Sequence, residues 1–283
     1  MQLLKELTLE SLEETRYEHL TLKVNEHVAT VTLSRPDKAN ALNMRLWAEV
    51  GQVFEAIDQV AEIRVAILAG EGKHFCGGID LAEFSAIFTA KRDCEGRFRE
   101  RLRRQILAMQ NSFTAIERCR VPVIAAVHGA VIGGAIDMIT CCDMRYASCD
   151  AKFSIREIDI GMTADVGTLQ RLPKIIPDGI MRELAYTGRE FGAEEARSMG
   201  LVNAVAGDKS ALDMLVGEVA AQIASKAPLA IRGTKEMILF SRDHSVEEGL
   251  NYIATWNSAM ILSDDIQQAM KAGMTRTAPE FKN

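Results

Sequence analysis

The sequence predicts an α/β protein, on three observations. Short apolar runs at residues 63–68 and 121–127 have the length and the Val/Ile content of buried strands. Segments with helical periodicity alternate with them, and glycine-bearing loops sit where strands give way to helices. The composition agrees: 48% hydrophobic and 25% charged residues are globular proportions, which excludes disorder as the main state. A chain of 283 residues is also long enough to bury about three quarters of its extended surface around one large core.

Residues 17–33 form the first unit. Leu20, Leu22 and Val24, then Val28 and residues 31–33, flank Asn25-Glu26, the pattern of two strands joined by a tight turn. Arg35-Pro36-Asp37 ends that hairpin. Leu46, Val50, Val53, Ile57 and Val60 recur at spacings of four, three, four and three, which lines them along one helix face. Residues 98–119 repeat the helical pattern, and a short helix is expected after Gly133-Gly134. Farther on, residues 210–225, 229–240, 246–262 and 264–271 all favour helix, and Ser245 with Glu248 makes a capping-box pattern. The expected division is an α/β core over residues 1–206 and a helical region over 207–283. Taken alone, the residues leave that region open as a small second domain or an oligomerisation layer.

Thirty-nine acidic residues against thirty-three basic give a net charge of -6, so no global positive field favours phosphate backbones and nucleic acid is not expected as a partner. The stretch 91–104, with seven basic and three acidic residues, reads as a solvated helix face rather than a phosphate site. The most membrane-like run, 121–136, is sixteen residues long and holds Pro122 and His128. It falls short of the ~20 residues that cross a bilayer, so no membrane partner is expected. Six cysteines form neither a CxxC pair nor a disulfide-dense framework and are expected as free thiols. The first fourteen residues carry Glu6, Glu10, Glu13 and Glu14 against Lys5 alone, and the last four, Glu-Phe-Lys-Asn, are not the peroxisomal Ser-Lys-Leu. A cytoplasmic location is the default expectation, with mitochondria or peroxisomes the alternative in a eukaryotic cell.

Two glycine-bearing loops precede expected helix starts: His74-Phe75-Cys76-Gly77-Gly78-Ile79-Asp80 and His128-Gly129-Ala130-Val131-Ile132-Gly133-Gly134. Helix starts leave N–H groups unpaired at the positive end of the dipole, so two facing loops can cradle one oxygen on which negative charge develops. No GxGxxG or Walker pattern is present, which removes support for a nucleotide site. Asp137 follows Gly134 by three residues, on the same face of the expected helix and within a segment apolar enough to be buried. Glu157 and Asp165 come 20 and then 8 residues later. Cys76 and His74 invite a nucleophile or metal reading, but no second ligand set accompanies them at a recognised spacing, so no metal is expected. His128 is read as packing beside its loop.

The segments Arg35-Pro36-Asp37-Lys38-Ala39-Asn40-Ala41-Leu42, residues 74–81, Ala126-Val127-His128-Gly129 with Gly133-Gly134, and Thr187-Gly188-Arg189 before Ala193-Glu194-Glu195-Ala196 carry a resemblance. By them the chain resembles the crotonase superfamily, also called the enoyl-CoA hydratase/isomerase family, over nearly its whole length. The resemblance implies a crotonase (ClpP-like) spiral of ββα units with a C-terminal helical oligomerisation region, assembled as homo-trimers or hexamers. It implies main-chain N–H groups of Ile79 and Gly134 as oxyanion donors and an acyl-CoA thioester as substrate. Coenzyme A is then part of the substrate and no separate cofactor is expected. Backbone groups around residues 35–40 and 74–80 would hold it, with Lys38, Ala39, Ala41, Gly77 and Asp80 as the candidate contacts.

Within that family, Asp137, Glu157 and Asp165 resemble the acidic triad of the dienoyl-CoA isomerases, and residues 164–173 resemble the same members. Hydratases of the family have glutamate at the first two positions, and Asp137 is one methylene shorter. The implied reaction is transfer of a proton from C2 of a 3,5-dienoyl thioester to C6 in the β-oxidation of unsaturated fatty acids. One residue does not easily reach both ends of the conjugated anion, so Glu157 is assigned as base at C2, Asp165 as acid at C6, and Asp137 as the group that orients them. Which carboxyl starts protonated stays open, because coupled acids titrate as a set. The alternatives are an enoyl-CoA hydratase and, from another class, a non-catalytic acyl-CoA- or RNA-binding member of the fold.

Overall fold

The computed structural model describes residues 7–283 except Ala90 and Asp93 and, for Ile87 and Phe88, the main chain alone. A short helix α1 (Leu9–Glu14), closed by a capping box between Thr8 and Ser11, precedes the hairpin of β1 (Leu20–Asn25) and β2 (Val28–Leu33). The hairpin is antiparallel with Leu20 opposite Leu33, and Glu26 sits in its turn at φ 52°. From β2 onward every pairing of this sheet is parallel, through β3 (Val65–Gly70), β4 (Val123–Val127), β6 (Met144–Ser148) and β9 (Ala204–Ala206). The strand order is β1-β2-β3-β4-β6-β9. A smaller sheet joins β5 (Ala130–Ile132), β7 (Lys152–Ser154) and β8 (Phe191–Gly192).

Side chains alternate across the pleat, so central parallel strands covered on both faces read as unbroken apolar runs. Leu68, Val123, Ala125 and Val127 join one core, whereas Val65, Ile124 and Ala126 join another. The first core lies under α2 (Met44–Gln59) and α4 (Glu95–Arg118). Helix α2 forms where the spacing puts it: Leu46, Val50, Val53 and Ile57 are all buried, and the Asn43 side chain accepts the Leu46 N–H at 2.9 Å. β3 starts at Val65 rather than Ile63, because pairing with β2 begins where Val65 meets Val28. Ile63 packs into the core ahead of it.

Helix α3 (Leu81–Thr89) follows the first glycine loop, and α5 (Gly134–Thr140) follows the second. Beyond them come α6 (Thr168–Arg171), α7 (Asp178–Thr187) and α8 (Ala193–Ser198). In the stretch 91–104, Arg97, Arg99, Arg101, Arg103 and Arg104 are exposed along the start of α4, with Arg99 and Arg104 facing Glu95 and Glu100. Asp93 of that stretch lies outside the described residues. Residues 207–283 divide by role. Helix α9 (Lys209–Ala224) covers the second face of the large sheet through Leu212, Val216 and Ala220. After it, α10 (Pro228–Asp243), α11 (Val246–Met260) and α12 (Asp264–Thr275) keep Ile238, Val246, Leu250, Met270 and Met274 exposed, as is Leu262 between the last two. The capping box at Ser245 and Glu248 forms as the sequence indicates.

Candidate active site

Parallel pairing brings the two glycine loops together. Cys76 N–H donates to Ala130 O at 3.0 Å and Ile132 N–H to Cys76 O at 3.1 Å, so the loops run side by side into α3 and α5. Gly78 makes the approach possible: its φ is +93°, and a Cβ there would stand 2.8 Å from Ile132 O and 3.9 Å from the Gly134 nitrogen. On the other flank, Leu42 N–H donates to Gly78 O and Asp80 N–H to Leu42 O, a bridge that leaves the Ile79 N–H turned away. Among the described residues, the N–H groups of Ile79 and Gly134 have no acceptor. Both residues line one cavity of about 130 Å³.

The three acids line that same cavity. Asp137, one turn into α5, is fully buried, and its Oδ1 accepts the Thr168 N–H at 2.6 Å. Its Oδ2 is buried without a partner, as is Oε2 of Glu157. Glu157 opens a 3-10 turn whose carboxylate comes up beside the second loop: a Cβ on Gly133 would lie 3.2 Å from its Oε1. Asp165 stands in the loop before α6, where the Gln110 side chain of α4 donates to its main-chain oxygen at 2.6 Å.

Burial raises the proton affinity of all three, because a carboxylate loses more than a neutral carboxyl when water is removed. It pushes Asp137 up to about 7, with the Glu157 charge adding and the hydrogen bond from Thr168 opposing. Burial raises Glu157 too, against the hydrogen bonds to its carboxylate from its own N–H and from Asp137, while the Asp165 charge adds to the rise. Asp165 is raised by burial, against its own N–H. The two carboxyls each raise the cost of ionising the other, so removing the second proton from the pair is harder than removing the first.

Trp47, Ile79, Met162, Asp165 and Val166 are shared with a second cavity of about 500 Å³. Phe84, Phe98, Leu102, Ile106 and Met109 of α3 and α4 give that space an apolar wall. The paired N–H groups and Glu157 thus line one cavity, and Asp165 stands where it adjoins a greasy chamber. Of the candidate coenzyme contacts, Gly77 lines the first cavity and Asp80 the second. Lys38, Ala39 and Ala41 line neither. They belong to a turn stitched to the first loop: Gly77 N–H donates to Ala39 O at 2.8 Å, and Arg35 binds both Ala41 O and Asp80.

His74 and His128 are packing groups. Nδ1 of His74 accepts the Ala130 N–H at 3.1 Å, and Nε2 of His128 lies 2.9 Å from Gly72 O. Burial pushes the Cys76 thiol up to about 12, which makes it inert. Sequence reasoning missed Thr168, Gln110 and Trp47. The Thr168 and Gln110 contacts span 31 and 55 residues, and no local pattern marks either.

The family model described as enoyl-CoA hydratase/isomerase matches residues 23–283. The chain is 47% identical to the peroxisomal Delta(3,5)-Delta(2,4)-dienoyl-CoA isomerase of Arabidopsis thaliana, over 97% of this chain and 99% of that one. It is 44% identical to the mitochondrial Delta(3,5)-Delta(2,4)-dienoyl-CoA isomerase of Homo sapiens, over 90% of this chain and 79% of that protein. The crystal structure of an enoyl-CoA hydratase from Bacillus anthracis superposes with a TM-score of 0.86 at 30% identity, covering 94% of this chain and 99% of the other. The peroxisomal and mitochondrial labels of the relatives overturn the cytoplasmic expectation, which rested on the lack of a recognised address and on no physical property of the chain. With paired loops, a free N–H pair, a match over most of the sequence and a superposable fold, the chain belongs to the enoyl-CoA hydratase/isomerase family.

Proposed function

We propose that the chain is a Δ3,5-Δ2,4-dienoyl-CoA isomerase, which moves a proton from C2 to C6 of a 3,5-dienoyl-CoA in the β-oxidation of unsaturated fatty acids. One observation carries the chemistry. Glu157 lies beside the free N–H pair, while Asp165 is displaced from it to the neck of the apolar chamber. The relatives of the same name, similar over most of the chain, support the assignment.

The thioester oxygen is held by Ile79 N–H and Gly134 N–H, which point at it before charge arrives and are worth several kcal/mol once it does. Glu157 takes the proton from C2. The electrons move into the thioester, giving a dienolate whose charge extends along the conjugated carbons. Asp165, whose hold on a proton burial strengthens, is the acid that delivers its proton at C6, and the double bonds settle at C2 and C4. Asp137, whose carboxyl burial pushes up to about 7, orients Glu157 from the neighbouring turn. The transposition is redox-neutral and balances with protons alone, so coenzyme A enters as part of the substrate and no cofactor is required. Gly77 and Asp80 flank its thioester end.

The assembly is proposed as a homo-trimer or the hexamer formed by two trimers. Exposed apolar side chains gathered on α10, α11 and α12 support it, since such a surface needs cover. The activity is tested by offering 3,5-dienoyl-CoA and 2-enoyl-CoA and following absorbance of the extended conjugated product. Isomerisation is expected to exceed hydration by orders of magnitude. Faster hydration would make the chain a hydratase, and turnover of neither would leave an acyl-CoA-binding protein.

A further inference from the structure

Asp165 faces a third cavity, and that one is polar. It encloses about 400 Å³ between the loop at Asp165, the middle of α4 and the end of α10, with walls that include Gln110, Thr114, Gln170 and Arg171. The charges around it are held in ion pairs. Arg171 grips Glu117 with two hydrogen bonds of 3.1 Å, Arg242 reaches the same carboxylate, and Lys174 pairs with Asp243. Its three cations are all drawn into ion pairs with Glu117 and Asp243, and with Gln110, Thr114 and Gln170 these walls offer many donors and acceptors to water. Asp165 is thus the partition between a greasy chamber on one side and a wettable one on the other.

The isomerase reading gives this geometry a task, and the inference rests on that reading. Each turnover ends with Glu157 protonated and Asp165 ionised, the reverse of the starting state. Before the next substrate reacts, Glu157 has to lose a proton and Asp165 has to gain one. While the acyl chain fills the apolar cavities, water has no access to Asp165 from their side. We propose that the polar cavity is a proton-exchange vestibule, through which water reprotonates Asp165 while product still fills the apolar cavities, and Glu157 returns its proton to solvent through the substrate mouth once product leaves. In balance, one proton enters at Asp165 and one leaves from Glu157, so the hydrogen delivered to C6 is a solvent hydrogen and not the one removed from C2.

Gln170 is exposed, and among the described residues its side chain makes no hydrogen bond, so it can be varied without breaking one. In Gln170→Trp the indole fills the vestibule, whereas Gln170→Asn keeps it polar. With enzyme in excess over 3,5-dienoyl-CoA, a single turnover by Gln170→Trp is expected at the wild-type rate, because Asp165 is already protonated. Its steady-state kcat is expected to fall by roughly tenfold or more at unchanged KM, and Gln170→Asn to stay near wild type. Equal losses in single and repeated turnovers, or no loss in either, would overturn the vestibule. A second measurement needs no variant: wild-type enzyme in D2O should place deuterium at C6, and retention of the C2 hydrogen there would overturn it as well. Failure of the wild type to isomerise 3,5-dienoyl-CoA at all would instead strike the isomerase reading.

Discussion

At the scale of single residues, Asp137 ties catalysis to folding. Its carboxyl is held at about 7 in the folded chain against 3.8 when free, so the native state binds more protons than the unfolded chain between those values. The stability associated with this proton is complete below about pH 4 and is lost as pH rises through 7. Asp137→Asn keeps the acceptor for Thr168 N–H and removes the titration. The variant is expected to be about 1–3 kcal/mol more stable than wild type at pH 8, after allowing for an imperfectly paired amide, and no more stable at pH 4. Denaturant unfolding at the two pH values measures this, and a gain independent of pH would contradict it. Asp137 was legible in the sequence, because a carboxylate soon after Gly133-Gly134 in an apolar segment is costly without a task, whereas Glu157 and Asp165 were singled out through the family resemblance. Thr168 and Gln110 were not legible, since tertiary packing alone brings them to Asp137 and Asp165.

At the scale of elements, the two loops act as one unit. Gly78→Ala places a methyl group 2.8 Å from Ile132 O at a φ that L-residues disfavour, and main chain rather than a flexible tip has to yield. The Ile79 and Gly134 N–H groups then cease to converge. A loss of kcat on the order of 10² to 10³ is expected, as when one oxyanion donor is removed, with a much smaller change in acyl-CoA binding. Steady-state kinetics with an equilibrium binding titration separates the two, and an unchanged kcat would remove the loops from the chemistry. Helix α2 and the hairpin were readable from periodicity because each has one buried face or a single turn. The start of β3 was not, because an apolar run buried on both faces carries no mark of where pairing begins. Nor did short strands such as β5 and β8 leave a period long enough to detect.

At the scale of the whole molecule, α9 seals the sheet and α10 to α12 are left with an apolar surface. Light scattering on the eluting protein is expected to give three or six times the chain mass of 31.2 kDa, and a monomer would contradict the proposed assembly. The helical character of residues 207–283 was plain from sequence, whereas the separate role of α9 depends on which sheet face it meets. The division of labour between the two ends of the acyl path is tested most directly by solvent exchange at C2. Incubated with 3,5-dienoyl-CoA in D2O, Asp165→Asn should still take deuterium into C2, since Glu157 forms the dienolate, while 2,4-dienoyl product falls by about 10²-fold or more. Glu157→Gln should show neither exchange nor product. If Asp165→Asn abolishes C2 exchange while Glu157→Gln preserves it, the base and the acid stand at the opposite ends from those described, and the account is wrong at its centre.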